Sequence, residues 1–69
     1  MLKHQFKLAL ASAGLTQLGW ANRNGVHQSA VSNVLTGNLK SAPVERLMRA
    51  FIAETLPQLE AELAAMRAA

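Results

Sequence analysis

The chain has no cysteine, no aspartate and no tyrosine. Without cysteine, neither a disulfide nor a thiolate metal site can staple its 69 residues. Its stability must then come from one packed core near the lower size limit for a single domain, expected to span 1–69. His4 and His27 are too few and too far apart for a metal site, so no metal and no cofactor is expected. Tyrosine is absent and β-branched residues are sparse, which opposes a sheet. The 51% hydrophobic content is rich in Ala and Leu, which favours helix. No apolar run approaches transmembrane length and nothing at the start resembles a signal peptide, so a cytoplasmic protein with no membrane partner is expected. No set of nucleophile, base and orienting group can be assembled, and neither histidine has a neighbouring carboxylate, so an enzyme is not expected. No small-molecule ligand is suggested either.

Acid is missing from a whole region. Residues 1–44 carry Lys3, Lys7, Arg23 and Lys40 and no carboxylate, while Glu45, Glu54, Glu60 and Glu62 all come later. The net charge of +3 therefore conceals a uniformly basic first part, as a phosphate-binding surface requires.

Within that basic part, helical periodicity predicts a first helix over about Lys3–Ala13, with Leu2, Phe6, Ala9, Leu10 and Ala13 on one face and Gly14 at its end. Lys3, Lys7 and His4 read as solvated. Thr16 is a good N-cap for a second helix that begins at Gln17, and Asn24-Gly25-Val26 reads as a tight turn into a third. Trp20 is expected in the core rather than as a stacking platform.

The third helix has two faces of opposite character. At about 100° per residue, Ala30, Val31, Val34 and Leu35 share one side, and Gln28, Ser29, Ser32, Asn33 and Thr36 share the other. An ordinary solvated face mixes Lys, Glu and Arg; this one is an uncharged row of amides and hydroxyls. Such groups suit the reading of base edges, because Gln and Asn pair bidentately with adenine and Ser and Thr serve several bases. A merely uncharged surface helix is the alternative. What precedes it weighs against that: Gln17, Ala21, Gly25, Val26, Val31 and Val34 stand where a helix-turn-helix needs an N-terminal amide, a small crossing residue, a positive-φ turn and apolar plugs.

AGLTQ leading into a helix, followed by NGVHQSAVSNVL, resembles the Cro/C1-type, lambda repressor-like helix-turn-helix regulators of temperate phages and bacteria. The likeness covers about Leu2–Phe51, and Gly25–Val31 is especially close to the reading helix of lambda Cro. It implies a DNA-binding regulator whose base contacts fall on Gln28, Ser29, Ser32 and Asn33. Gln17, Arg23, His27, Thr36, Asn38 and Lys40 are the expected phosphate contacts, with Gln17 also bracing the reading helix. Three departures stand out. Asn24 replaces the usual apolar residue before the glycine. Asn33 replaces a base-contacting lysine of lambda Cro, so the operator does not carry over. The chain continues in helical rather than strand pattern, which makes the all-helical phage repressors the better architectural guide.

After a loop at Gly37–Ser41, Pro43 opens a fourth helix with Val44, Leu47, Met48, Phe51 and Ile52 as its core stripe. Thr55 and Gln58 form a T-x-x-Q pattern around Pro57, which predicts a separate fifth helix to about Arg67 lined by Leu56, Leu59, Leu63 and Met66. The expected fold is thus all-α, a compact five-helix domain with its helix-turn-helix at helices 2 and 3, and with 55–69 sharing in dimerisation. The expected function is a Cro-like repressor that binds a palindromic double-stranded DNA operator as a homodimer and occludes polymerase. An antitoxin-type autoregulator, or a helical protein-interaction module without DNA binding, are the alternatives.

Overall fold

In a computed structural model, residues 2–68 are described; Met1 and Ala69, the ends of the expected domain, lie outside them. Four helices follow one another: α1 Leu2–Ala13, α2 Gln17–Arg23, α3 Gln28–Thr36 and α4 Ala42–Ala68. No strand occurs among the described residues.

Local chemistry sets the ends of the short helices. Helix α1 stops at Gly14, where the Leu15 amide reaches back to the Leu10 carbonyl at 2.9 Å. Thr16 caps α2 as expected, its hydroxyl accepting from the Gly19 amide at 3.0 Å. Space is tight there, since a Cβ on Gly19 would lie 3.2 Å from that same oxygen. At the other end of α2, Gly25 adopts φ +67°. That left-handed turn lets the Gly25 and Val26 amides close onto the Asn22 and Ala21 carbonyls at 3.4 and 3.0 Å. The chain then reverses into α3 within four residues.

The core forms where α1, α2, α3 and the first half of α4 meet. Phe6, Leu10, Trp20, Ala21, Val31, Val44 and Met48 make one buried cluster, with Val26, Val34, Phe51 and Ile52 packed against it. Phe6 sits edge-on to Trp20 with ring centres 4.8 Å apart, and Phe51 lies 6.0 Å from both. The edge-on contacts of Phe6 with Trp20 and Phe51 add to what area burial alone contributes. Ala21 is fully buried, so a larger residue would push the two helices apart. Two expected core residues are outside: Ala13 is exposed, and Leu47 is 37% exposed because Met48 takes the inward position.

The expected five helices are four. α4 runs unbroken through Thr55, Pro57 and Gln58, so the T-x-x-Q pattern caps nothing and Pro57 lies inside a helix. Proline at that place removes the amide that would bond the Ala53 carbonyl and costs about 3 kcal/mol. Ala53 is exposed, so the proline falls on a stretch of α4 that solvent reaches. The run AELAAMRA beyond Gln58 consists of strong helix formers, which offset the loss. At 27 residues α4 is about 40 Å long and sets the 43 Å long dimension of the molecule.

Candidate nucleic-acid interface

Helix α3 is held by one face and open on the other. Val31 is fully buried and Ala30, Val34 and Leu35 are half-buried, which fixes its rotation on the core. Gln28, Ser29, Ser32, Asn33 and Thr36 are then all exposed together, as their spacing requires. None of these side chains is tied to another residue's side chain. The Thr36 hydroxyl alone turns inward, donating to the Asn33 carbonyl at 3.2 Å, and keeps its lone pairs for an outside donor.

His27 is the N-cap of α3. Its carbonyl accepts from the Ala30 and Val31 amides at 3.1 and 3.2 Å, but its imidazole makes no capping bond. The first amides of α3 are therefore available to an acceptor outside the protein, at the end of the helix that favours anions.

The far end of α3 turns at Gly37, which takes φ +81°. Its Asn38 and Leu39 amides fold back onto the Asn33 carbonyl at 2.9 and 3.1 Å, and Asn38, Leu39 and Lys40 all emerge into solvent beside the polar face. Leu39, 41% exposed, belongs to this edge although no sequence signal singled it out; a lone leucine in a loop gives none.

The remaining phosphate candidates sit on α2. Gln17 is its first residue and half-buried, close to where Thr16 already occupies one of the open amides. Arg23 is exposed but lines an open groove of about 320 Å³ with Trp20, Asn24, Leu47, Phe51 and Glu54. Glu54 lines the same groove, so the surface around Arg23 is not uniformly basic. Asn24 has a structural part: its Nδ2 donates to the Trp20 carbonyl at 2.9 Å and closes the end of α2.

Electrostatically the surface is simple. Glu45, the carboxylate nearest in sequence to the loop, is bound by Arg49 one turn along at 2.7 Å. Among the described residues no group of three or more His, Asp or Glu could hold a metal, and no helix is long and apolar enough to cross a membrane. Comparisons with protein-family models, with curated proteins and with solved structures return no match for this chain.

Proposed function

We propose that this protein is a sequence-specific double-stranded-DNA-binding regulator of transcription, a Cro-like repressor that acts as a homodimer on a palindromic operator. The observation that carries the reading is the open face of α3, where five uncharged hydrogen-bonding side chains stand exposed on a helix whose other face is locked into the core. A rigid helix about 10–12 Å across with such a face fits the major groove, which is about 12 Å wide. Gln28 and Ser29, at the N-terminal end that enters deepest, and Ser32 and Asn33 one turn later read bases. Gln17, His27, Thr36, Asn38 and Lys40 hold phosphates on either side, with Arg23 at the margin. A protein with this role works in the cytoplasm, on the nucleoid. The resemblance to Cro/C1-type regulators rests on the motif residues alone and agrees with this assignment; an antitoxin-type autoregulator would use the same surface.

Selection of bound fragments from a random duplex pool tests the reading directly and yields the operator. Recovered sites should contain two inverted half-sites about 10 base pairs apart, centre to centre. Affinity should fall steeply with salt as contacts displace counterions, and Lys40→Ala should weaken binding on every sequence and flatten that slope by about one. A protein that retains no duplex at low salt is an interaction module instead.

Base readout has its own signature. A bidentate contact discriminates by about 1–3 kcal/mol, so Gln28→Ala should relax preference at one operator position and Asn33→Ala at another. Both side chains are exposed, so the melting temperature should stay within a few degrees of the parent's. Equal loss of affinity on all sequences would reduce both residues to backbone positioning.

A further inference from the structure

The continuity of α4 creates a surface that two separate helices would not have. Beyond Leu59 every described residue is exposed, so the end of α4 projects from the body as a helical tail. Along it Leu56 and Leu59 are half-buried, while Leu63 is 44% and Met66 73% exposed. Their 3,4,3 spacing places Leu56 and Leu63 at a and Leu59 and Met66 at d of a heptad, the pattern that seams two helices.

The charges beside this stripe choose the partner. In the body, Glu45 pairs with Arg49 at the i,i+4 spacing natural to one helix. In the tail, Glu60 and Glu62 have no cation three or four residues away, and Arg67 has no carboxylate three or four residues before it, its Nε donating only to the Leu63 carbonyl at 3.4 Å. Arg67 instead follows Glu62 by five residues, and the two occupy e and g. Five is the spacing at which a g residue of one helix meets the e residue of a parallel partner. Two copies in parallel thus form Glu62–Arg67 pairs on both flanks. Antiparallel copies in the register that matches all four apolar residues would set Glu60 against Glu60 and Glu62 against Glu62.

The geometry points to a second copy of this chain as the occupant: the tails pair in parallel over Leu56–Arg67 as a short two-stranded coiled coil, steered by reciprocal Glu62–Arg67 pairs. This deepens the homodimer reading above. Parallel tails put both bodies at the same end of the pair, as two half-sites on one face of a duplex need. The seam is shorter than a standard interface, so the dimer is weak in free solution and is completed on DNA, where the first bound body raises the effective concentration of the second.

The absence of native cysteine makes the test clean. In parallel register each d residue meets its own copy, so Met66→Cys should cross-link to itself as a disulfide dimer under mild oxidation. Ala61→Cys, on the outer face, should not. In sedimentation equilibrium Arg67→Glu should raise the dissociation constant about tenfold, and Glu62→Arg with Arg67→Glu in one chain should restore it. Circular dichroism should show unchanged helix throughout, since these residues are exposed. A Met66→Cys chain that stays monomeric, or a mixture in which Leu59→Cys cross-links to Leu63→Cys, overturns parallel pairing. Duplex binding measured on the same samples separates the two ideas. Operator binding without a Met66→Cys cross-link removes the tail seam alone, and a cross-link without duplex binding removes the DNA reading alone.

Discussion

Phe6→Ala is expected to lower the melting temperature by roughly 12–40 °C. Phe6 is fully buried and is the ring on which Trp20 and Phe51 both pack, at 4.8 and 6.0 Å. Truncating a buried phenylalanine costs about 3–5 kcal/mol through lost transfer energy and the cavity left behind. At about 0.05–0.15 kcal/mol per residue, a chain this size has roughly 3–10 kcal/mol in all. No disulfide is present to absorb the loss. The single tryptophan, 2% exposed, reports the outcome without ambiguity: its emission should shift to the red as the far-UV helical signal falls. Phe6→Leu should keep a cooperative transition at lower temperature. If Phe6→Ala melted like the parent, the cluster described above would not be the core that holds α1 to α2 and α4.

Much of that core was legible because its signals are local. Thr16, Gly25 and Gly37 each satisfy or release backbone groups within five residues, so the ends of α2 and α3 follow from the sequence alone. The buried Trp20 and Ala21 followed from how two helices cross at a tight turn. Pro57 defeated the same logic. A T-x-x-Q pattern with proline in its middle reads as a helix start, yet the alternative costs only one backbone bond, and strong helix formers follow. Which prevails depends on how this stretch of α4 is packed, a tertiary fact. Leu47 lies outside the core for a related reason: two adjacent apolar residues leave the exact rotation of a helix open until its neighbours are known. On the candidate interface, the polar face of α3 was readable from spacing. That Arg23 and Glu54 line one groove was not, because the two residues lie far apart in the chain and only the fold brings them to the same groove.

Ser32→Glu should abolish operator binding while leaving the fold intact. Ser32 lies mid-helix on the exposed face of α3 and bonds to no other residue, so the change removes no contact. Glutamate is also the better helix former, and stability should hold or rise slightly. On DNA the same carboxylate would stand among base-edge acceptors between two rows of phosphates. A buried, unpaired charge there should cost at least about 2.7 kcal/mol, or a hundredfold in affinity. Net charge alone must be separated from this local effect. Ala61→Glu makes the same change of charge on the outer face of the tail, far along α4 from the core, and should cost only a few-fold, and only at low salt. Fluorescence anisotropy with a labelled operator would measure both variants across a salt series. Equal losses would mean that the protein is held by its overall charge, and no loss in either would mean that α3 faces away from the duplex. A large loss confined to Ser32→Glu puts the polar face of α3 against the bases.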